Sequence, residues 1–171
     1  MCICVFTMFI KCTHNIKKTR NMTYKCNFYT QYNQFYLSSD GANSLTSGLD
    51  WDEQSYKDRL VVLNNSLVVF TECYGPVKGE ISILEKANNV INYDLYDHIV
   101  EGGLDVKSGK IQVLDCPNSS VELEIPVKSG KYRIRVYSSN LSSVDGDEGN
   151  DYYKIEIWES DSLERTVLKR Y

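Results

Sequence analysis

Three clusters of charged residues in this 171-residue sequence could carry chemistry, and the first surrounds its only histidine beyond residue 21. Asp97, His98 and Glu101 combine an imidazole with two carboxylates, which are the parts of a general base or a metal site. Neighbouring residues on a strand point to opposite faces, however, so Asp97 and His98 cannot converge on one ligand. The other histidine is His14, and no serine or cysteine stands in a recognisable nucleophile elbow. The sequence therefore predicts a structural His98, no catalytic residue and no enzyme activity.

The second cluster is an acidic loop between two predicted strands. Its carboxylates belong to Asp145, Asp147, Glu148 and Asp151. Glu156 takes the twelfth place counted from the start of the loop, a spacing similar to that of a calcium-binding loop. An EF-hand needs glycine at the sixth place, where this chain has Asn150, and Glu156 falls within a predicted strand. The pattern excludes an EF-hand and leaves two interpretations, a solvated acidic loop, which we favour, and a looser calcium site at the end of a sandwich.

The third cluster is a basic stripe on one predicted strand. Arg133 and Arg135 share the strand face opposite Ile134 and Val136, and such a stripe could bind an anion. Acidic residues on strands expected to be adjacent offer a simpler explanation, because opposite charges pair across neighbouring strands. We therefore expect cross-strand ion pairs with Glu122, Glu124 and Glu156.

Short runs of period two, separated by turn residues, place these clusters on an all-β scaffold. About eight or nine such strands follow one another, and no helical run longer than Asp52–Arg59 is expected. The 13 tyrosines against three prolines also favour strands. We predict a single domain with the fold of an antiparallel β-sandwich. Trp51 is expected to plug a core beneath the serine-rich and glycine-rich loop Ser38–Gly48.

The stretch Tyr96–Pro117 is the predicted structural centre of the chain. Two strand-like runs meet there across the turn Lys107–Gly109. Gly102 and Gly103 interrupt the first run, which indicates a bulge or a close approach of another segment.

Charge divides the chain into a basic start and an acidic body. Residues 1–21 hold four basic residues and no acid, whereas the remaining 15 basic and all 23 acidic residues give the body a net charge of −8. This charge opposes direct nucleic-acid binding and suits a basic protein partner or simple solubility. The apolar run at residues 1–10 is too short to span a bilayer. We expect residues 1–22 to be a leader outside the native fold and residues 23–171 to be the β-sandwich domain; a short membrane-associating segment is the alternative.

The cysteine pattern indicates neither a metal site nor a disulfide framework. Cys2, Cys4, Cys12 and Cys26 lie near the start, and Cys73 and Cys116 lie in the body. No pair has the C-x-x-C spacing of a zinc site. We expect reduced thiols, a cytoplasmic location, no metal and no cofactor.

Four segments come in an order that resembles a known family. They are YNQFYL (residues 32–37), DHIVEGGLDVKSGKIQVLDCP (97–117), GKYRIRVYSSNLSS (130–143) and YYKIEIWES (152–160). Over roughly residues 28–158 the sequence is similar to the competence protein J group of bacteria, which is related to DNA-entry nuclease inhibitors. The resemblance implies a non-catalytic acidic β protein that binds a nuclease in the manner of an immunity partner. On this interpretation the partner-binding residues are Asp145, Asp147, Glu148 and Asp151.

A ligand-binding module is the alternative function. A lectin-like sandwich could use exposed tyrosines and the same acidic loop, with or without calcium, to bind a carbohydrate or another small ligand. The sequence pattern does not indicate an oligomeric state.

Overall fold

The computed structural model describes residues 21–41 and 51–171, which form a two-layer β-sandwich. These residues contain eleven strands and one α-helix. The predicted all-β sandwich is confirmed, with two strands more than the upper prediction of nine. The extra strands arise because the aromatic run near the start divides in two, where Tyr32 and Asn33 both take positive φ angles, and because a short strand ends the chain.

Six strands form the first sheet. In spatial order they are β1 (Met22–Tyr29), β5 (Pro76–Ile83), β10 (Tyr152–Glu159), β9 (Gly130–Ser139), β6 (His98–Val106) and β11 (Thr166–Lys169). One pairing departs from the predicted antiparallel arrangement, because β5 and β10 run parallel, with Ile81 beside Ile155. The two strands approach so closely that a Cβ atom on Gly79 would lie 2.1 Å from the carbonyl oxygen of Tyr153.

Five strands form the second sheet, and all of its pairings are antiparallel. In spatial order they are β3 (Leu60–Val62), β4 (Ser66–Phe70), β2 (Gln34–Ser38), β7 (Lys110–Leu114) and β8 (Val121–Pro126). Helix α1 (Glu53–Asp58) lies inside Asp52–Arg59, the longest helical run that the sequence allowed. Asp52 caps its first turn by accepting a hydrogen bond from the Ser55 N–H at 2.6 Å.

The main core lies between the sheets and is built from alternate residues of both. On β9 its members are Tyr132, Ile134 and Val136, as the period of two predicts. A second, smaller cluster covers the outer face of the five-stranded sheet, where the half-buried Trp51 packs with Val68. Trp51 thus packs on this outer cluster and not in the main core, and its predicted place beneath the loop stays a prediction, because residues 42–50 lie outside the described residues.

The turn Lys107–Gly109 carries the chain from one sheet to the other. Strand β6 pairs with β9 and β11, whereas β7 pairs with β2 and β8. Gly109 takes a φ of +76°, a conformation that glycine adopts without strain. The centre of the sequence is thus one of the four places where the described chain passes from one sheet to the other.

The predicted bulge at Gly102 and Gly103 is wrong, and the alternative of a close approach is confirmed. Strands β6 and β9 keep one register from His98 to Val106. A Cβ atom on Gly102 would lie 2.8 Å from the side chain of Leu60 in the facing sheet. On the opposite face, a Cβ atom on Gly103 would lie 2.4 Å from the Cα atom of Leu163. Both glycines are present because β6 is tightly covered on both faces.

Strand β1 begins at Met22, next to the predicted domain start at residue 23. The rest of the expected leader, residues 1–20, lies outside the described residues. Within residues 21–41 and 51–171, no helix is long and apolar enough to cross a membrane.

We expect Gly103→Ala to lower the free energy of unfolding by about 1–3 kcal/mol, because the added methyl group overlaps the backbone at Leu163. Urea denaturation at neutral pH measures this. Gly130→Ala is the matched control, since no atom lies within 4 Å of its Cβ position. Equal stability of the two variants would contradict the close approach.

Candidate partner-binding site

The connection from β9 to β10 ends in a tight turn, residues 145–148, which we call the acidic turn. The Asp145 N–H donates to the Glu148 carbonyl at 2.8 Å, and the Glu148 N–H donates back to the Asp145 carbonyl at 3.2 Å. Gly146 provides the positive φ that the turn requires, +62°. The turn leaves the side chains of Asp145, Asp147 and Glu148 exposed to solvent.

Contacts to neighbouring segments hold the acidic turn in place. The Cys73 thiol donates to the carbonyl of Asp147 at a distance of 2.9 Å. The Ser143 hydroxyl accepts a hydrogen bond from the Asn150 N–H at 2.9 Å. Gly149 packs so tightly on Val144 that a Cβ atom would lie 2.5 Å from a valine methyl group. The three exposed carboxylates are therefore presented on a fixed backbone.

The fourth predicted contact residue, Asp151, lies at the base of the loop and is only 2% exposed. Its Oδ2 atom accepts hydrogen bonds from the Cys73 N–H at 3.0 Å and from the Tyr153 hydroxyl at 2.6 Å. Burial and the nearby Asp151 carboxylate raise the pKa of Tyr153 far above its usual range. Asp151 thus ties the loop to the segment that carries Cys73, and its carboxylate does not share the surface of the other three.

Tyr29, Tyr32 and Tyr74 lie around the segment that carries Cys73, and the sequence pattern did not mark them as contact residues. Tyr29 and Tyr32 are 59% and 58% exposed, and the Tyr32 ring lies 5.9 Å from the ring of the half-buried Tyr74. The ring of Tyr29 lies against Gly75, where a Cβ atom would overlap it at 2.4 Å. Only the exposure of Tyr29 could have been predicted from the sequence, because alternation places its side chain on the outer face of β1. Alternation gives no information about the exposure of loop residues such as Tyr32 and Tyr74.

A shallow depression separates the acidic turn from the start of β5. Pro76 and Lys78 line one side of it and the acidic turn lines the other. Among residues 21–41 and 51–171, no three His, Cys, Asp or Glu side chains converge as ligands of a metal ion. Cys26, Cys73 and Cys116 are free thiols.

The fold separates Asp97, His98 and Glu101, and each of them has a different structural role. The Asp97 carboxylate accepts a hydrogen bond from the Leu141 N–H at 2.8 Å, which fixes the start of the loop after β9. His98 points into the protein, and Glu101 points to the opposite side of the sheet among arginines. No shared catalytic centre results.

His98 is fully buried and both of its ring nitrogens have partners, so the predicted structural role is confirmed. Nε2 lies 3.0 Å from the Asp58 carbonyl, to which it donates, and Nδ1 accepts a hydrogen bond from the Tyr171 N–H at 3.3 Å. Burial lowers the pKa of His98 to about 4, and Arg59 and Arg170 act in the same direction. The neutral ring thereby joins helix α1 to the last residue of the chain.

Glu101 is the centre of a buried ion-pair network. Its two carboxylate oxygens accept hydrogen bonds from the Nε atoms of Arg133 at 2.9 Å and Arg135 at 2.6 Å. Arg135 also lies 3.7 Å from Glu156 and stacks over Trp158, 4.9 Å from the ring centroid. Every buried side-chain nitrogen and oxygen of the described residues has a hydrogen-bond partner. The basic stripe is therefore neutralised within the fold.

The prediction that the two arginines form cross-strand ion pairs is confirmed, but only one of the three predicted partners is correct. Glu156 is a partner, whereas Glu122 and Glu124 are not, because β8 belongs to the other sheet. Glu124 instead pairs with Lys110 at 2.8 Å. The main partner, Glu101, was missed because alternation within a strand does not reveal which strands are neighbours.

Two solved structures have a similar fold. The chain shares its fold with ComJ. ComJ from Bacillus subtilis is an inhibitor of the DNA-degrading activity of NucA; the two structures superpose with a TM-score of 0.64 and 12% sequence identity, over 82% of this chain and 99% of ComJ. The crocagin biosynthetic gene J product matches with a TM-score of 0.55 and 11% identity, over 82% of this chain and 99% of its own.

The predicted resemblance to the competence protein J group is thus confirmed at the level of the fold. No protein-family model matches the sequence, and no curated protein matches it significantly. At these identities the similarity shows a common architecture, and the role of each surface has to be argued from its own chemistry.

We expect Glu101→Gln to lower the free energy of unfolding by about 3 kcal/mol, because two buried guanidinium groups lose the charge that compensates them. Urea denaturation measures the loss. Glu122→Gln is the control, since this exposed glutamate on β8 is expected to change stability by less than about 0.5 kcal/mol. A loss no larger than that of the control would show that the network does not stabilise the fold.

His98 makes stability depend on pH below neutrality. Because its pKa is about 4 in the folded chain and about 6.5 in an unfolded one, the unfolded state binds the proton first as pH falls. The stabilisation that comes from the neutral His98 ring is complete above pH 6.5. Between pH 6.5 and 4 it is lost, which lowers the free energy of unfolding by about 3 kcal/mol.

Urea denaturation of the wild type and of His98→Gln over this pH range tests the prediction. The variant is expected to be less stable at pH 7 and to lose less stability on acidification, since glutamine does not titrate. Parallel pH profiles for the two proteins would remove His98 as the source.

Proposed function

We propose that this chain is a non-catalytic inhibitor that binds a DNA-degrading nuclease and blocks its access to DNA. The observation that carries the proposal is the shared fold with ComJ, itself a nuclease inhibitor, which extends over nearly the whole of that protein. The separation of Asp97, His98 and Glu101 into structural roles supports a binding function over catalysis.

The charge of the body suits such a partner. A nuclease holds the phosphate backbone of DNA with an electropositive surface. The net charge of −8 beyond residue 21 would attract that surface and accelerate association at low ionic strength. The same charge opposes binding to DNA itself, so inhibition would act on the enzyme and not on its substrate.

The acidic turn is the contact that we assign to the nuclease. Its three exposed carboxylates could replace DNA phosphates against basic side chains of the partner. The hydrogen bonds within the turn and from Cys73 fix its backbone before binding, which reduces the entropy lost in the complex. Asp151 contributes indirectly, because its buried carboxylate positions the turn.

The test uses the purified DNA-degrading nuclease of the same cell, plasmid DNA and increasing amounts of the full chain. We expect the wild type to stop plasmid degradation at a defined molar ratio. The triple variant Asp145→Asn, Asp147→Asn, Glu148→Gln should bind at least about tenfold more weakly, since each lost charge pair at an interface costs about 0.5–1 kcal/mol. Surface plasmon resonance at two salt concentrations measures the affinities.

A charge-matched control separates the contact from the overall charge. Glu85→Gln, Glu122→Gln and Asp161→Asn remove the same three negative charges from exposed positions elsewhere. This control should slow association slightly and leave the dissociation rate unchanged. Equal effects of the two triple variants would remove the acidic turn as the contact. A shift of plasmid DNA by the chain alone, or no effect on the nuclease, would overturn the proposed function.

A further inference from the structure

Strand β1 forms an open edge of the six-stranded sheet, and within residues 21–41 and 51–171 no strand pairs with its outer side. The other three edges are poor templates for pairing. Strand β3 has only three residues, β11 has four with a break in register, and β8 has six, also with a break in register, and ends at Pro126. Strand β1 is eight residues long and keeps an unbroken register with β5. It is therefore the edge most suited to accepting another strand.

The hydrogen-bond pattern shows which backbone groups of β1 point away from β5. The Thr30 N–H donates to the Gly75 carbonyl at 2.9 Å, and the Leu84 N–H on the far side of β5 donates to Ile157 at 2.8 Å. In an antiparallel pair the bonded residues alternate, so the even-numbered residues of β1 bond to β5. The N–H and C=O groups that point outward belong to Thr23, Lys25, Asn27 and Tyr29.

The inward-facing residues of the same strand are incompletely covered. Tyr24, Cys26 and Phe28 pack on the main core and remain half-buried at the open side of the sandwich. A strand added at this edge would place its own inward side chains beside them. The edge thus offers, at the same place, apolar side chains and backbone groups that no strand of the described residues uses.

We propose that the occupant is β1 of a second copy of this chain, added antiparallel with the two Cys26 residues opposite each other. Side chains that face each other across an antiparallel pair lie on the same side of the sheet, so a two-fold axis can pass through any residue of β1. Centring on Lys25 or on Cys26 pairs the greatest length of the strand, because β1 runs from Met22 to Tyr29. Centring on Lys25 would place two ammonium groups directly opposite each other, a destabilising pair. Centring on Cys26 places Tyr24 opposite Phe28 twice and Lys25 opposite Asn27 twice.

The charges and distances are compatible with the register centred on Cys26. Lys25 already pairs with Glu80 of its own chain at 3.3 Å, so no uncompensated positive charge faces the second copy. In the pairing with the second copy, the even-numbered residues form the non-hydrogen-bonded pairs, with Cα atoms about 4.5 Å apart. At this distance the Cys26 side chains meet at the centre of the interface, flanked on each side by an aromatic pair.

Replacement of Asn27 tests the proposal on the full chain. Its N–H points outward, so Asn27→Pro removes a donor used only by the second copy, whereas Asn27→Ala keeps the donor. Light scattering across a dilution series should give the wild type and Asn27→Ala a mass approaching twice the 19.7 kDa of one chain, and Asn27→Pro a mass of one chain. A wild type with the mass of one chain at every concentration, or a dimer that survives in Asn27→Pro, would overturn the proposal.

Amide hydrogen exchange of the wild type gives a second test that does not depend on the folding of a variant. On concentrating the protein, the amides of Thr23, Lys25, Asn27 and Tyr29 should become protected, while those of the even-numbered residues stay protected throughout. Exchange at the odd-numbered amides that does not change with concentration would exclude pairing at this edge.

Discussion

Strand β6 must be covered on both faces, and most of the fold follows from this constraint. All of β6 except Asp105 is buried, although only one other strand, β11, separates it from the edge of its sheet. Gly102 lets the facing sheet approach on the inside, and Gly103 lets the segment at Leu163 lie on the outside. Between these contacts Glu101 is desolvated on the outer face, and it is tolerated because two arginines of β9 donate to it.

The cover over the outer face is supplied by the last part of the chain and is held mainly by polar contacts. Arg133 donates to the carbonyls of Ser162 and Glu164, so the arginine that neutralises Glu101 also binds the segment above it. Asp58 accepts from Arg165 at 3.0 Å and from Arg170 at 2.6 Å. Such contacts fix the position of the segment in one register, whereas apolar contacts alone would permit sliding.

The attachment of this C-terminal segment also depends on the protonation state of the His98 ring. His98 joins the end of α1 to Tyr171 only while Nδ1 is free to accept, and its burial keeps the ring neutral at ordinary pH. A charged ring would have two donors and would face the guanidinium groups of Arg59 and Arg170. The stability of the C-terminal cover is therefore coupled to pH through a buried residue with a structural role.

Alternation and turn residues were sufficient to predict the class of fold and the faces of individual strands. Tyr132, Ile134 and Val136 enter the core as their period of two requires, and the one α-helix of the described residues stays within the predicted limit of Asp52–Arg59. Strand neighbours could not be deduced in this way, because period two is the same whichever strand lies alongside. For this reason Glu101 was missed as the partner of Arg133, and the pairing of β5 with β10 was not expected to be parallel.

The acidic loop shows why residue type alone does not define a contact surface. Asp145, Asp147 and Glu148 stand on a turn whose backbone bonds point inward, so their carboxylates remain in water. Asp151 follows three residues later, at the point where the chain enters β10, and two buried donors surround its carboxylate. In the sequence all four are acids of one loop; in the fold, three could bind a basic partner and the fourth holds them in place. ComJ and this chain share a fold at 12% identity, so the sandwich itself does not specify a contact surface, and the role of such local arrangements has to be argued from their own chemistry.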